Sequence, residues 1–424
     1  MEKIISYIGS KVKLYDFLKE SIIDNLEEDK KYNFFDLFAG TNSVSRFIKE
    51  TTDYNIIAND LSKYSVILFS YLLFDKVDKK SKLNLENQLK ILNNLPLIKG
   101  DIYNELSVGG NTKSIEDDKK EDMFSNQPFN SRMFFSGIVG KKIDTIKKGI
   151  QDANKRGELS LQEVHILLIF LIYYADKNAN TASVYGAYLK TEKKLEKEFN
   201  FYENDLVELF KSTKYDKKGK NNLYSYNEDA LSVLDKIQKE NKFSDKTENV
   251  IYLDPPYSTR SYESNYHILE YIVDFNFSYK QLKVNSKTAQ SVKKGKNPFT
   301  SKAGTREIFP KIINKALAIS NNIFISYNND KTSLLRQEEI EDMVNAYNET
   351  NNTNVQLITY LKEYKRFKSA NAETKKLQES INKEQDKDKK LLLKEELKTL
   401  QSIKKVQEKD TNTINEIIWH IKAN

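Results

Sequence analysis

The 424-residue chain contains no cysteine, which excludes disulfides, thiolate zinc sites and cysteine nucleophiles. Histidine occurs three times, at His165, His267 and His420, too far apart in sequence to suggest a histidine metal site. No uninterrupted apolar run is long enough to span a bilayer, and Met1 to Ile8 carry no hydrophobic region of secretory length. A soluble cytoplasmic protein with no membrane or metal partner is the expectation. Charge of one sign is not in large excess: 68 Lys+Arg stand against 61 Asp+Glu, a formal net charge of +7. That balance permits a nucleic-acid partner, although an ordinary solvated surface would look similar.

Only 6 prolines occur, and two of them are adjacent, in Asp254-Pro255-Pro256-Tyr257. The approach, Asn249-Val250-Ile251-Tyr252-Leu253, is short, apolar and rich in β-branched and aromatic residues, as in a buried strand. Neither proline can donate to a ladder, so the strand must stop there. The turn holds a carboxylate, a carbonyl and an aromatic ring at the carboxyl end of a strand, the edge where open α/β sheets bind ligands. Asp254 and the Pro255 carbonyl can accept hydrogen bonds from an exocyclic amine, and the Tyr257 ring can stack on a planar base, worth roughly 1–3 kcal/mol. Taken alone, the four residues are better explained as a strand-end turn with a capping aspartate.

The rest of the chain supplies context. Tyr7-Ile8-Gly9-Ser10-Lys11 precedes a helical pattern through Leu14, Phe17, Leu18 and Ile22; a Gly-Ser turn there can bring Lys11 to an anion, though a plain helix start explains it too. Residues 33–38 read as a strand, and Ala39-Gly40-Thr41-Asn42 as a tight turn before a helix through Val44, Phe47 and Ile48. A second strand, 55–58, ends at Asn59-Asp60. The position of Asp60, about 20 residues after the glycine turn, favours a ribose-binding carboxylate over a helix cap. Residues 161–174 form a buried helix. Residues 180–190 interleave Tyr, Asn, Gly and Lys, a pattern that suits bases and phosphates but also a plain hairpin. Strands follow at 223–226, 323–327 and 414–421. The helix after the Asp254 turn carries Tyr262, Asn265, Tyr266 and His267, the last a packing histidine. Residues 285–305 read as a mobile basic loop, and Lys365-Arg366-Phe367-Lys368 as a cluster able to sit on phosphates. The charged stretch 370–410 reads as a helical hairpin on the surface.

In this order the segments resemble the D12-class (α-group) N6-adenine DNA methyltransferases, and within them the modification methylases of type II restriction systems, particularly type IIS. Tyr7 to Lys11 looks like motif X, Asp36-Leu37-Phe38-Ala39-Gly40-Thr41-Asn42 like the cofactor loop (motif I), Asn59-Asp60 like motif II, Asp229 like motif III, and Asp254 to Tyr257 like the catalytic motif. Residues 180–190, 260–270 and Ser326-Tyr327-Asn328-Asn329 also look like segments of this subfamily. One departure is Asn42, where the family usually has a second glycine. Asn tolerates left-handed geometry better than other non-glycine residues, so the loop is expected to form.

The resemblance implies a Rossmann-like, mainly parallel sheet with an antiparallel edge, built from residues 1–100, 223–369 and 411–424. It also implies a mostly helical target-recognition region at 101–222, with 370–410 as a charged insertion. S-adenosyl-L-methionine (AdoMet) would be held by Tyr7, Lys11, Asp36, Phe38, Gly40, Asp60 and Asp229, with Asp254 near its amino acid moiety. Asp254, Pro255, Pro256 and Tyr257 would be catalytic. Asn180, Tyr185, Lys190, Arg260, Tyr262, Asn265, Lys365, Arg366 and Lys368 would meet double-stranded DNA. The expected activity is methyl transfer to N6 of an adenine flipped from the duplex. The protein is expected to be a monomer, with a cognate restriction endonuclease as a functional rather than necessarily physical counterpart. The alternatives are methylation of RNA adenine or cytosine N4, with Asp rather than Ser at position 254 speaking against cytosine, and a non-catalytic DNA-binding specificity or scaffold protein. Acidic residues at positions 60, 229 and 254 speak against that last reading.

Overall fold

A computed structural model of the chain describes residues 5, 7, 10–110, 132–181, 184–189, 221–240, 247–256, 262–278, 297–328, 333–365 and 413–423. The strands are β1 (Tyr32–Asp36), β2 (Asn55–Asn59), β3 (Leu223–Tyr226), β4 (Glu248–Leu253), β5 (Asn322–Asn328), β6 (Gln356–Lys365) and β7 (Thr413–Lys422). The helices are α1 (Tyr15–Ser21), α2 (Ser43–Thr51), α3 (Lys63–Phe69), α4 (Lys79–Asn94), α5 (Asp101–Leu106), α6 (Gly137–Lys155), α7 (Leu161–Asn178), α8 (Ala230–Glu240), α9 (Tyr262–Val273), α10 (Lys302–Leu317) and α11 (Gln337–Asn351).

The strands make one sheet in the order β3-β2-β1-β4-β5-β7-β6. Pairing is parallel from β3 through β5, and antiparallel for β5 with β7 and for β7 with β6. The chain runs outward from β1 to β3 and then returns to β4 on the opposite side of β1. That reversal leaves a crevice at the carboxyl ends of β1 and β4.

Side chains alternate between two cores, as the two-residue period of a strand requires. Tyr32, Phe34, Ile56, Val250, Tyr252, Phe324 and Ile418 pack with Phe17 and Leu18 of α1 and with Val44, Phe47 and Ile48 of α2. Phe35, Ile57, Ile251, Ile323, Ile325, Ile417 and Trp419 face the other way, onto α8, α10 and α11. β1 and β5 are buried along their whole length, as expected for strands covered on both faces. A third core is made by helices alone, with apolar residues of α3 to α7 and α9 interlocking. Helix α7 is the centre of it. Ser160 and Glu163 form its capping box, and the run from Val164 to Ile172 is buried apart from the half-buried His165, as predicted from its apolarity.

The antiparallel edge expected of the sheet is made by two strands: β7 lies between β5 and β6, with Trp419 stacked on Tyr327 at 5.5 Å. β6, which separates α11 from the charged stretch, is not legible as a strand in the sequence, because Thr359, Lys362 and Glu363 dilute its apolar signal. Of the expected mobile loop at 285–305, the described part, 297–305, is ordered. The Asn297 side chain accepts from the Phe299 N–H at 3.0 Å, and Ser301 Oγ accepts from the Gly304 N–H at 3.1 Å, starting α10. These are ordinary capping signals inside a basic, polar stretch.

Because β7 supplies hydrogen bonds to both neighbours, truncation before Thr413 should abolish cooperative folding rather than trim an edge. Near-UV circular dichroism and a urea melt check this, and a sharp unfolding transition in the truncated protein is the contrary result.

Candidate active site

Asp36, Asp60 and Asp254 occupy corresponding positions, at or just beyond the carboxyl ends of β1, β2 and β4. With Asp229, just past β3, they border one cleft. Tyr7, Phe38, Gly40, Leu61, Tyr64, Pro256, Asn297 and Phe299 also line it.

The floor is the turn after β1. Gly40 has φ +52°, a left-handed conformation that side chains adopt only with strain, and a Cβ there would lie 2.9 Å from the Tyr7 hydroxyl, so glycine lets the turn and that ring approach closely. Its N–H donates to Asp60 Oδ2 at 2.8 Å, while the Ser62 N–H donates to Asp60 Oδ1 at 2.8 Å. Asp60 thus ties the β1 turn to the start of α3. Asn42 adopts the left-handed conformation expected of it, with φ 59° and ψ 26°. Its side-chain amide donates to the Ser65 carbonyl at 2.9 Å, so the departure from glycine adds a tie that glycine would lack.

Asp36 accepts from Ser45 Oγ at 2.7 Å through one oxygen, and its Oδ1 is buried without a hydrogen-bond partner. Burial pushes its carboxyl up to about 7, with the Asp254 and Asp60 charges adding to the rise. An orphan acceptor in the wall of a cleft is an unfilled site for a donor or cationic group. Asp229 caps α8 through the Leu231 N–H at 2.9 Å while bordering the cleft. Phe38 meets Phe299 edge-on at 5.1 Å, so the ordered 297–300 turn supplies an aromatic wall. Opposite, Tyr7 stacks on Tyr266 of α9 at 4.5 Å, joining the cleft to the helical core.

Lys11 is placed differently from expectation. It does not line the cleft. Buried to 2 % exposure, it contacts Asp254 Oδ1 at 3.1 Å and Glu416 Oε1 at 2.6 Å. Burial raises the Asp254 carboxyl to about 6, the Lys11 charge pulling it down and Glu416 pushing it up. Sequence reasoning missed Glu416. The signal was a lone carboxylate at a buried position of an otherwise apolar strand.

The expected DNA-facing residues are dispersed. Asn180 is fully buried; its side-chain amide donates to the carbonyls of Met133 at 3.0 Å and Leu189 at 2.5 Å. The Tyr185 ring is 1 % exposed and packs with Phe134 and Phe135, while its N–H donates to the Asn265 carbonyl at 2.8 Å. In this structure both brace the 184–189 loop from within and are buried rather than turned to solvent. Small polar residues in a loop look alike in sequence whether they face solvent or satisfy buried carbonyls. Asn265 is half-buried beside Gly186. Tyr262 opens α9 and Lys365 ends β6. Lys190, Tyr257, Arg260, Arg366 and Lys368 lie outside the described residues, as does the stretch 370–410.

His267 packs edge-on against Phe134 and Tyr271, as expected. His420 stacks on Phe324 at 4.1 Å, and burial lowers it to about 4, leaving it neutral. Among the described residues, no cluster of His, Asp or Glu is arranged to hold a metal ion, and no helix is long and apolar enough to cross a membrane.

A buried acid whose folded pKa is raised stabilises the fold below its unfolded pKa, and that contribution is lost as pH rises through the folded value. For Asp36 the window runs from about 4 to about 7. Asp36→Asn should therefore raise the melting temperature of the ligand-free protein at pH 8, by roughly 2 °C or more, and not at pH 4. A shift equal at both pH values, read by scanning fluorimetry, is the contrary result.

The profile of the D12 class N6 adenine-specific DNA methyltransferases matches residues 7–343. The chain is 30% identical over 375 residues to the type II methyltransferase M.NlaIII of Neisseria lactamica, covering 88% of this chain and 95% of that protein. It is 28% identical over 349 residues to the type II methyltransferase M.FokI of Planomicrobium okeanokoites, covering 80% of this chain and 47% of that one. To the type II methyltransferase M.CviAII of Paramecium bursaria Chlorella virus 1 it is 30% identical over 269 residues, 63% of this chain and 69% of that protein. Three carboxylates at the ends of adjacent strands around a glycine turn, within a sheet of this order, agree with those matches: the chain belongs to the D12 class of N6 adenine-specific DNA methyltransferases.

Proposed function

We propose that this chain transfers the methyl group of AdoMet to N6 of an adenine within a short DNA sequence, as the modification component of a restriction-modification system. The observation that carries this reading is the gathering of Asp36, Asp60, Asp229 and Asp254 around one cleft at the switch point of the sheet. The relatives, type II methyltransferases and modification methylases, support the restriction-modification setting. The chain spans about half the length of M.FokI and of the modification methylase StsI, and nearly all of M.NlaIII. A cognate endonuclease would be its functional counterpart.

The residues fit the cofactor. Tyr7, Asp36, Phe38, Gly40, Asp60 and Asp229 would hold AdoMet, with the orphan Asp36 oxygen suited to a cationic amine. Bound there, AdoMet supplies a methyl carbon on a sulfonium sulfur. Lys11 would serve the catalytic aspartate rather than the cofactor.

Asp254 and the Pro255 carbonyl would accept hydrogen bonds from the adenine amine and draw its lone pair out of conjugation. Tyr257 would offer its ring face to the flipped base. Catalysis of this kind is mostly positioning, plus hydrogen bonds that strengthen as the nitrogen gains positive charge. The mostly helical region 101–222 is assigned to target recognition. Its helices α6 and α7 share a core with α9, which follows the Asp254 turn, and that supports the assignment. Asn180 and Tyr185 would act on DNA indirectly, by bracing the loop that rests on Asn265. Phosphate contacts from Lys190, Arg260, Lys365, Arg366 and Lys368 would make binding weaken with salt.

Expression in a methylation-free host, followed by sequencing of its DNA for modified bases, tests the function directly; unmodified adenine throughout would overturn it. In single-turnover transfer of labelled methyl to the site so found, Asp254→Ala should abolish transfer with little change in DNA affinity. Tyr257→Phe should keep substantial activity, and Tyr257→Ala should lose it. Near-normal transfer by Asp254→Ala would remove the aspartate from the mechanism. Wild-type transfer should also fall as pH drops through about 6, where Asp254 takes up a proton and ceases to be a pure acceptor.

A further inference from the structure

The antiparallel course of β7 has a consequence at the site. A reversed strand begins where its parallel neighbours end, so Glu416, near the start of β7, pairs in register with Asn328 at the end of β5. It therefore lies at the same edge as Asp254, although it comes 405 residues after Lys11. The D12 profile matches residues 7–343, so Glu416 falls outside the matched region.

Glu416 is 2 % exposed, and its Oε1 accepts from Lys11 Nζ at 2.6 Å and from Ser326 Oγ at 2.7 Å. Lys11, also 2 % exposed, reaches Asp254 Oδ1 at 3.1 Å with the same ammonium. One buried cation thus lies between two carboxylates and sits closer to Glu416. A buried charge is kept ionised only by partners, so neither carboxylate has the ammonium to itself.

We propose that Glu416 is a positioning residue for methyl transfer: it seats Lys11 against Asp254 and, by sharing the ammonium, leaves Asp254 incompletely neutralised and so a strong acceptor for the target amine. This rests on the methyl-transfer reading of the cleft. Were Lys11 paired with Asp254 alone, the carboxylate would be less basic and would polarise the amine less. Among the described residues, the other titratable groups facing Asp254 are Asp36 of β1 and Tyr252 of β4. The opposing raising and lowering influences of Glu416 and Lys11 on Asp254 agree with this arrangement.

A purely structural ion pair would stitch β7 to the N-terminal segment without touching the chemistry. The pH profile of single-turnover methyl transfer separates the two. Glu416→Gln keeps the size and an oxygen for Lys11 and Ser326 but removes the charge. It should lower the plateau rate about tenfold. It should also move the acidic limb roughly half a unit or more toward lower pH, because Asp254 loses a neighbouring negative charge. DNA and AdoMet affinities should stay as in wild type. Glu416→Asp keeps the charge and retracts it by one methylene, which guards against a Gln variant that does not fold. It should move the acidic limb toward higher pH, opposite to Glu416→Gln, because Lys11 is drawn from Asp254, and should still lower the plateau, because Asp254 is then less firmly seated. A wild-type plateau in Glu416→Asp, or a wild-type plateau and limb in a folded Glu416→Gln, would overturn the proposal. Absence of transfer by the wild-type protein on DNA from the methylation-free host would instead overturn the methyl-transfer reading itself.

Discussion

β1 is hydrogen-bonded on both sides, by β2 from Asn33 to Asp36 and by β4 from Tyr32 to Asp36, and the site depends on that double pairing. Parallel registers align the strand ends, so whatever follows each strand emerges at the same level. Asp36, Asp60 and Asp254 become neighbours for that reason alone, despite lying in three separate segments of sequence. Burial resists the ionisation of both Asp36 and Asp254, and neighbouring carboxylates add to it: Asp254 and Asp60 for Asp36, Glu416 for Asp254.

The fold manages that concentration of negative charge with unlike devices. Asp60 is satisfied by the backbone N–H groups of Gly40 and Ser62. Asp254 has the Lys11 ammonium, shared with Glu416. Asp36 has one hydroxyl and one unfilled oxygen. The three carboxylates thus run from fully satisfied Asp60, through Asp254 with a shared cation, to Asp36 with one oxygen unpaired.

The helical core extends the site sideways. Tyr7 in the cleft wall stacks on Tyr266 of α9, and Glu270 of the same helix accepts from the Tyr64 N–H at the start of α3. Helix α9 follows the Asp254 turn and α3 follows Asp60, so the two turns are braced against each other through packed rings and one half-buried carboxylate. The loop 184–189 joins the same unit through the Tyr185 and Asn265 backbones. A shift in α9 or in the 184–189 loop would therefore reach the cleft through packed contacts.

The strands β1 to β5 and β7, the left-handed Asn42, the packing role of His267 and the family were legible in the sequence, whereas the parallel pairing came only through the resemblance. Each of the former is a local matter: a short apolar run, a tight turn, an apolar neighbourhood, or a motif read over a few residues. Tertiary structure alone decided the place of β7 inside the sheet, because strand order is set by which edges find partners, and no single segment records that. It decided that Asn180 and Tyr185 are interior, since a polar loop residue reveals its carbonyl partners only when the chain has closed around it. It also brought Glu416 to Lys11. That contact exists because one strand runs backwards, and its direction follows from how the last segment pairs with β5 and β6, not from the residues around Glu416.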